Sequence, residues 1–401
     1  MQHEVALGLL AIGITSLLFS FVMHGCLRVV LRRSRGTKDV GPTPPVSILK
    51  PLKGADPELY ENLASLARQD YPEFEIVFGT EDTMDPALAV ARRIKRDFPH
   101  VRVSIVAGGR SIGHNPKVNN LAQLTRVARH DWTLVSDADV RVDPLYLRAM
   151  TAETVDPRVG LVSSVITNVG EKSLGATFDN LHMNGFVAGV VAAADVLAGH
   201  SCVVGKSMLV RRSDLGRLGG LEVVKDVLAE DYVLGQLYQR AGFKVALSGH
   251  PVRAMCHTRT FESFFGRHVR WGQMRRHIAP LHHLGEPLLL PTPWLATAAL
   301  LSLTERHPAG MKALVVGIAV VALAARCVSD AFQAKALRGT IPALLDIPLI
   351  PIKDVVVTMS WALSTVKRTV RWRGNVMRIG RGSVLTAAVA DSRGRAENAA
   401  H

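Results

Sequence analysis

The chain has 401 residues, 48% of them hydrophobic, and carries a formal net charge of +14 at pH 7. A mean hydropathy of +0.18 and a sequence pI near 10.0 are more typical of a membrane-associated protein than of an ordinary soluble domain. Only 5% of the residues are aromatic and they are not interleaved with the basic ones, so no nucleic-acid partner is expected and an anionic lipid surface or a phosphorylated substrate is favoured.

The first predicted element is an apolar helix near the N-terminus. Residues 5–27 contain no formally charged side chain and match the ~20 residues that cross a bilayer. A cleaved signal peptide needs a basic start and a small-residue cleavage site, whereas this chain opens with MQHE and closes the apolar run with LRVVLRRSR. Residues 1–35 are therefore predicted to be a retained transmembrane anchor, with the next domain in the cytoplasm.

The middle of the chain, residues 45–285, alternates short β-rich runs with helical patterns. PVSILKPL, FEIVFGT, VRVSIV and WTLVSDADV are typical of strands, and the segments between them are typical of amphipathic helices. This alternation predicts an α/β fold whose mostly parallel sheet is covered by helices on both faces. In such sheets ligands bind at the carboxyl ends of the strands, so the residues that follow each strand are candidates for the site.

Acidic residues follow two of these strands. Asp82 comes after FEIVFGT, and Asp137 and Asp139 come after WTLVS. Because alternate residues of an extended chain face the same way, Asp137 and Asp139 can present two carboxylates to one site. Carboxylate oxygens are suitable ligands for Mg²⁺ or Mn²⁺ that bridges a diphosphate. A solvated turn explains such a pair equally well, and the residues alone leave both explanations open.

Two further segments place charged residues at predicted helix starts. In IGHNPKVNNLAQL, Asn115 is the expected cap, and Lys117 can contact phosphate or brace the acidic residues. In VLAEDYVLGQ, Glu230 and Asp231 open a helix whose dipole is expected to lower the pKa of Asp231. Either a catalytic carboxylate or simple stabilisation of the helix dipole accounts for that acidic pair.

Several common catalytic patterns are absent from the sequence. It contains no GxGxxG and no P-loop, which disfavours a dehydrogenase or an NTPase. The four cysteines show no CxxC pair and no zinc spacing, so reduced thiols are expected.

The last third of the chain is again apolar. Segments 288–303 and 311–328 are predicted transmembrane helices. A third tract, 341–363, contains two aspartates, a lysine and three prolines, and charges at membrane depth are costly, so an interfacial or re-entrant arrangement is favoured over a simple span. With only the first two segments crossing the membrane, the basic tail returns to the cytoplasm, where the positive-inside rule expects it. The predicted domains are the anchor (1–35), the catalytic domain (40–285), the C-terminal transmembrane or interfacial segments (286–365) and a basic cytoplasmic tail with a disordered end (366–401).

Six segments occur in the order VSILKPLKG, EDTMDPA, GHNPKVNNL, SDADVRV, LAEDY and RHVRW. In this order they resemble the ceramide glucosyltransferases and their bacterial relatives, which include hopanoid-linked glycosyltransferases. The resemblance covers residues 45–285 and the general membrane arrangement. It implies an inverting enzyme with a GT-A (Rossmann-like) cytosolic catalytic domain, one N-terminal helix and two to three C-terminal transmembrane or interfacial helices.

The resemblance implies roles for four aspartates. Asp82 corresponds to the first aspartate of the family pattern, expected near the uracil and ribose of a UDP-sugar. Asp137 corresponds to the second, and Asp139 completes a DxD expected to hold Mg²⁺ or Mn²⁺ on the diphosphate. Asp231 corresponds to the third aspartate, which is expected to be the catalytic base. Inverting transfer needs such a base, because a single displacement at the anomeric carbon requires one carboxylate to take the hydroxyl proton.

The resemblance also implies roles near the C-terminal membrane segments. Arg267, Arg270 and Trp271 form an RxxRW element expected beside the diphosphate and the acceptor. Processive relatives have glutamine at the position of Arg267, which points away from polymer synthesis. The basic stretch 253–285 is predicted to lie at the membrane interface with its phenylalanines in lipid. WRGNVMRIGRG (372–382) resembles a C-terminal element of related membrane glycosyltransferases and is expected to gate the site or contact the diphosphate.

The predicted function is transfer of glucose from UDP-glucose to ceramide in the bilayer, giving a β-linked glycolipid, in a bacterial inner membrane with the catalytic domain in the cytoplasm. Transfer from UDP-N-acetylglucosamine or another UDP-sugar to a hopanoid is an alternative. A polyisoprenyl-phosphate glycosyltransferase is disfavoured by the KPLKG, NPKVNN and RHVRW set. A non-catalytic, membrane-tethered nucleotide-binding scaffold is disfavoured because Asp137, Asp231 and Arg270 are all retained.

Overall fold

A computed structural model describes residues 2–33, 41–304, 308–372 and 375–387. The strands of this part of the chain are β1 (Val46–Pro51), β2 (Phe74–Thr80), β3 (Arg102–Ala107), β4 (Trp132–Ser136), β5 (Val140–Arg141), β6 (Val159–Val169), β7 (Ser207–Arg211), β8 (Lys244–Met255), β9 (Thr369–Trp372), β10 (Asn375–Ile379) and β11 (Leu385–Ala387). The α-helices are α1 (Gln2–Arg33), α2 (Leu59–Ala67), α3 (Ala87–Asp97), α4 (Pro116–Val127), α5 (Tyr146–Ala152), α6 (Leu174–His182), α7 (Ala188–Ala198), α8 (Arg212–Arg217), α9 (Glu230–Arg240), α10 (Phe261–Ile278), α11 (Pro280–Gly285), α12 (Pro291–Thr304), α13 (Ala309–Arg338) and α14 (Leu349–Val366).

The central sheet has eight strands in the order β3-β2-β1-β4-β7-β6-β8-β5. The first four strands in this order run parallel, as the alternating sequence pattern predicts. Strand β7 is antiparallel to both β4 and β6, and β8 is parallel to β6. The α/β class and the apolar helices at both ends of the chain are therefore confirmed.

Helices cover both faces of the sheet because its strands are apolar on both sides. In β1, Ile48 packs with α2, α3 and α5 on one face, and Leu49 packs with α4 and α9 on the other. Phe78 and Val77 of β2 divide between the two faces in the same way. Successive side chains of a strand point to opposite faces, so a sheet covered on both sides requires adjacent apolar residues such as IL in β1 and IVF in β2.

Four helical segments of the described residues are long and apolar enough to cross a membrane, namely 4–33, 174–198, 309–338 and 349–366. A fifth span results if residues 280–289 and 291–304, which are bent by 53°, act as one. The segment 174–198, in which α6 continues through a π-helical turn into α7, is absent from the sequence prediction. Its most apolar stretch is 61% buried in the protein, where it packs against α1 and β6. Polar residues within FDNLHMNG conceal this helix in the sequence.

Helix α14 lies alongside α10, which extends directly from the sheet domain. A Cβ atom at Gly272 of α10 would lie 2.3 Å from the Ser364 hydroxyl, so the two helices approach closely. Arg276 donates to the backbone carbonyls of Ser364 and Thr365. The helix of this tract, 349–366, is long and apolar enough to cross a membrane, so the interfacial arrangement expected for 341–363 stays a prediction.

The phenylalanines of α10 do not all face lipid. Phe264 is fully buried, with its ring centroid 5.7 Å from that of Phe178 and 4.4 Å from that of His268. The prediction that these phenylalanines enter lipid is therefore wrong for Phe264, because α6 covers it. Phe261 is 44% exposed and remains available to the bilayer.

Ionisable side chains meet inside the helical bundle rather than facing lipid. Arg326 Nη2 lies 3.2 Å from Asp330 Oδ2 on α13, and Lys353 Nζ lies 2.5 Å from Asp354 Oδ1 on α14. The hydroxyl of Thr292 on α12 donates to Asp354 at 2.8 Å. All four charged side chains are almost completely buried, so two cations and two anions neutralise each other within the bundle.

Removing one charge of this group is expected to destabilise the bundle. Arg326→Met leaves the Asp330 carboxylate buried without its partner, which costs about 3–5 kcal/mol. The double variant Arg326→Met/Asp330→Leu removes both charges and should recover most of the loss. Unfolding of the purified protein in a detergent titration measures both variants. Equal stability of the single variant and the wild type would show that the pair contributes nothing.

Candidate active site

Four of the predicted site residues, Lys117, Asp137, Asp139 and Asp231, meet where β4 ends. Asp137 directly follows β4, and its backbone N–H donates to the carbonyl of Lys206 at 3.0 Å, just before β7. Because β4 and β7 are antiparallel neighbours, the end of one strand lies beside the start of the other. Helix α9, which begins at Glu230, brings Asp231 to the same place. Three stretches far apart in the sequence therefore form one cluster.

Asp231 lies in the first turn of α9 and is fixed by two backbone groups. Its Oδ1 accepts from the Tyr232 N–H at 2.8 Å and its Oδ2 accepts from the Gly205 N–H. A Cβ atom at position 205 would lie 2.6 Å from Oδ2, so glycine permits this approach. Burial and the neighbouring Glu230 raise the pKa of Asp231 to about 6, although Lys117 and the two backbone bonds oppose the shift. The expectation that the helix dipole lowers the pKa of Asp231 is therefore wrong, because the effect of burial is larger.

Lys117 connects two of the acidic groups. Its Nζ lies 3.0 Å from Asp137 Oδ1 and 3.0 Å from Glu230 Oε1, and it donates to the Gly205 carbonyl at 3.0 Å. Asn115 caps α4 by accepting from the Lys117 N–H at 2.9 Å, which fixes where this side chain starts. The surrounding carboxylates raise the pKa of Lys117 above its usual value. A permanently charged lysine therefore braces the acidic residues against each other.

Two more lysines lie at the DxD pair, and the sequence analysis missed both. Lys206 Nζ lies 2.5 Å from Asp139 Oδ2 and 3.5 Å from Asp137 Oδ2. Lys50, fully buried in β1, donates to the Ser136 hydroxyl at 3.1 Å and to the Asp137 carbonyl. Burial lowers the pKa of Lys50 to about 7, against the pull of the nearby aspartates. The signal was a lysine inside the apolar run SILKPL, because lysine is rarely buried without a partner.

The DxD pair fits a divalent cation that is shared with a ligand. Asp139 Oδ1 is buried and has no hydrogen-bond partner among the described residues, as expected of an oxygen that coordinates a cation. In the described part of the chain, no group of three or more His, Cys, Asp or Glu side chains is arranged to hold a metal ion. The remaining coordination positions would fall to water and phosphate oxygens, which is usual for Mg²⁺.

The RxxRW element lies on α10, and its two arginines have different surroundings. Arg267 donates to Asp179 at 2.6 Å, and its guanidinium carbon lies 4.2 Å from the ring centroid of Trp271. Arg270 has no hydrogen-bond or ion-pair partner within the described residues. Burial, together with Arg267 and Arg259, lowers the pKa of Arg270 to about 10. Arg270 is thus the guanidinium that is free for an incoming anion, and Arg267 is already engaged.

Asp82 lies apart from the other predicted site residues. It follows β2, is exposed, and accepts from the Met84 N–H at 2.8 Å. Strand β1 separates β2 from β4, and no contact within the described residues joins Asp82 to Asp137 or Asp231. Its carboxylate is at the same carboxyl edge of the sheet, so a ligand extending over β1 would reach it.

The C-terminal strands pack on the segment that precedes Asp231. Strands β9, β10 and β11 form an antiparallel sheet. The Leu228 N–H donates to the Ser383 carbonyl at 3.0 Å, and the Ala229 N–H donates to the Ser383 hydroxyl at 3.2 Å. Ser383 has a φ of 58°, a conformation that is strained for a residue other than glycine. The expected gating element, 372–382, thus leads into this contact; two of its residues and the tail expected to be disordered lie outside the described residues.

A profile of glycosyl transferase family 21 matches residues 8–385. The chain belongs to this family. Among curated members, ceramide glucosyltransferase 1 of Caenorhabditis elegans is 30% identical over 246 residues, which are 61% of this chain and 53% of that protein. Ceramide glucosyltransferase of Komagataella phaffii is 29% identical over 307 residues, which are 61% of this chain and 60% of that protein. The resemblance drawn from the six motifs is confirmed.

This family 21 member therefore spans between about half and three fifths of the length of those relatives. Among solved structures, a mannosyltransferase from Pyrobaculum calidifontis in complex with GDP-Man and Mn²⁺ is similar, with 19% identity and a TM-score of 0.48. The alignment covers 90% of this chain and 98% of that one.

Proposed function

We propose that this protein transfers a hexose from a UDP-sugar, with UDP-glucose as the first choice, to the hydroxyl of a ceramide-like membrane lipid, giving a β-linked glycolipid. The observation that carries the proposal is that Asp231 lies in the same cluster as the DxD pair. The Gly205 N–H holds this carboxylate, whose pKa is raised, and Lys117, which donates to the Gly205 carbonyl, pairs with Asp137. Membership of glycosyl transferase family 21 and relatives named ceramide glucosyltransferase support the acceptor class.

In the proposed reaction Asp231 is the base. The acceptor O–H proton passes to the Asp231 carboxylate while the acceptor oxygen bonds to the anomeric carbon on the face opposite the leaving group. The bond between the anomeric carbon and the phosphate oxygen breaks, and its electron pair leaves with UDP. A carboxylate with a pKa near 6 is ionised at neutral pH and more basic than an ordinary aspartate. The N–H groups of Gly205 and Tyr232 hold it in one orientation.

Charge that develops on the diphosphate needs positive partners. Asp137 and Asp139 would hold Mg²⁺ or Mn²⁺, which supplies electrostatic stabilisation of the leaving group. Arg270, free of other partners within the described residues, supplies a planar fork of donors suited to phosphate oxygens. Asp82, exposed after the end of β2, would accept hydrogen bonds from the nucleoside. Trp271 lies beside Arg267 at the edge of this region and offers a ring face to the sugar or the acceptor.

The acceptor reaches the site from the bilayer. Both α1 and α13 end in basic residues next to segments joined to the sheet, with Arg33 2.9 Å from Asp195 and Arg338 2.6 Å from Glu171. The positive-inside rule places such ends in the cytoplasm, so the proposal has the sheet domain there as a GT-A catalytic domain at a bacterial inner membrane. A lipid hydroxyl at the interface then lies on the same side as the donor.

The proposal is tested with purified protein in lipid nanodiscs that contain ceramide, supplied with UDP-glucose and Mg²⁺ or Mn²⁺. We expect equal amounts of UDP and glucosylceramide, both dependent on ceramide. Product from UDP-N-acetylglucosamine or with a hopanoid acceptor, but not from the first pair, would change the donor or acceptor and keep the reaction. Binding of UDP-sugars without product from any pair would favour a non-catalytic scaffold.

A further inference from the structure

Asp179 is a fully buried carboxylate on α6 that lies in none of the six sequence motifs. It accepts from Arg267 at 2.6 Å and from Asn168 at 3.3 Å, and it lies 3.3 Å from Nε of Arg259. His268 is 3.4 Å away, but burial lowers the pKa of its imidazole, which is therefore uncharged at neutral pH. One carboxylate thus faces two permanently charged guanidinium groups.

Positive charge is in excess around this carboxylate. Arg259 and Arg267 are both close enough to Arg270 to lower its pKa, so three guanidinium groups share one region with Asp179. Arg259 and Arg267 are 25% and 11% exposed at their side chains, and Arg270 has no partner in the described part of the chain. Partly buried cations without counter-charges are unfavourable, and an anion of two or more charges would relieve the excess.

The location of Arg259 favours a ligand at the DxD pair. The Met255 N–H, at the end of β8 and four residues before Arg259, donates to the Asp139 carbonyl at 2.8 Å. The backbone around Arg259 is held firmly, because its carbonyl accepts from the Ser173 hydroxyl at 2.7 Å. A Cβ atom at Gly175 would lie 2.4 Å from the carbonyl of Thr260, which shows how closely the two segments pack. Arg259 is therefore held on a fixed loop that begins beside Asp139, with its Nε 3.3 Å from Asp179.

We propose that Arg259 is a further binding residue for a diphosphate group, acting beside Arg270, and that Asp179 is a positioning residue that orients Arg259 and Arg267. This inference rests on the proposed function, because the diphosphate is that of the sugar donor. The shared chemistry is a phosphate-bearing anion, which UDP or an anionic lipid headgroup can supply. The two sources are separated by experiment.

Arg259 is tested by calorimetric titration of UDP into the full-length protein. Arg259→Met is expected to weaken UDP binding about tenfold, since it removes a charge-assisted contact, and Arg259→Lys should lose less. Arg96→Met, which removes an exposed arginine on α3, is the matched control and should bind UDP normally. Inorganic pyrophosphate should compete with UDP. Normal UDP binding by Arg259→Met, or a loss confined to phosphatidylglycerol nanodiscs relative to phosphatidylcholine nanodiscs, would overturn the assignment.

Asp179 is tested by separating binding from turnover. Asp179→Asn keeps the size of the side chain and adds one net positive charge, which offsets the poorer orientation of Arg259, so UDP should bind about as tightly as in the wild type. Turnover should nevertheless fall about tenfold or more, because the arginines lose their orientation. Asp179→Glu keeps the charge and should recover part of kcat. A parallel loss of UDP affinity and kcat, with a lowered unfolding temperature, would show a purely structural role.

The outcomes also separate this inference from the proposed function. A wild-type protein that binds UDP, together with Arg259 and Asp179 variants that behave like it, would refute the inference alone. A wild-type protein that binds neither UDP nor pyrophosphate would refute both.

Discussion

Asp231→Asn is expected to reduce sugar transfer about 10²- to 10⁴-fold, the usual contribution of a general base. The amide has the same shape and its oxygen can still accept from Gly205, but it cannot take the proton of the acceptor hydroxyl. UDP binding should stay close to that of the wild type, so the loss falls on kcat. Glu222→Gln, which changes an exposed acid just before the same helix, is the matched control. Near-normal turnover of Asp231→Asn would place the base elsewhere.

The same carboxylate also sets the expected pH dependence. With a pKa raised to about 6, Asp231 is protonated and inactive in acid, and transfer should rise as the pH passes through about 6. Glu230 is one cause of the raised pKa, so Glu230→Gln should move this limb of the kcat profile to lower pH. An unshifted limb would show that Asp231 and Glu230 do not interact.

The stability of the Asp231→Asn variant against unfolding is a second, independent test. A carboxylate whose folded pKa exceeds its unfolded value binds more protons when folded, so its contribution to stability is lost as the pH rises to about 6 and remains lost above it. Asp231→Asn should therefore lose activity while gaining resistance to unfolding at pH 8. A residue needed only for the fold would lose both properties together.

The parallel half of the sheet and the acids at its edge could be predicted because their signals are local. The strands β1 to β4 are short apolar runs, and Asp137 and Asp139 stand directly after one of them. Asn115 is confirmed as the cap of α4. It could be predicted because asparagine directly before a proline and an apolar run is a typical start of a helix. The contribution of the family resemblance was to single out Asp231 within an ordinary acidic helix start.

The remaining features depend on contacts between distant segments. Lys206 reaches the DxD pair only because β7 runs antiparallel to β4, a pairing that no local pattern announces. Asp179 lies in a segment whose polar residues concealed a helix, and its partners come from α10 and the loop before it. The raised pKa of Asp231 likewise depends on burial by the whole cluster, whereas the sequence offered only the helix dipole.

Lys117→Met is expected to have the second large effect, because one ammonium group serves both sides of the site. It lies 3.0 Å from Asp137 and 3.0 Å from Glu230, and its side chain is 10% exposed. Its removal leaves Glu230 without its cationic partner and Asp137 with Lys206 alone. Loss of one partner of a buried ion pair costs about 3–5 kcal/mol of stability. The unfolding midpoint in detergent measures this loss. Lys225→Met, which removes an exposed lysine paired with Glu222, should leave the midpoint unchanged.

The same variant should change the pH profile in a direction that a simple folding defect does not predict. Lys117 opposes the raised pKa of Asp231, so Lys117→Met should move the acid limb of kcat to higher pH. The double variant Lys117→Met/Glu230→Gln removes one unpaired carboxylate and should recover part of the stability while returning the limb toward lower pH. A limb that stays in place in both variants would mean that Lys117 acts only on the DxD pair. An acid limb of kcat that moves as expected would show that Asp231 and the carboxylates of the DxD pair are electrostatically coupled through Lys117.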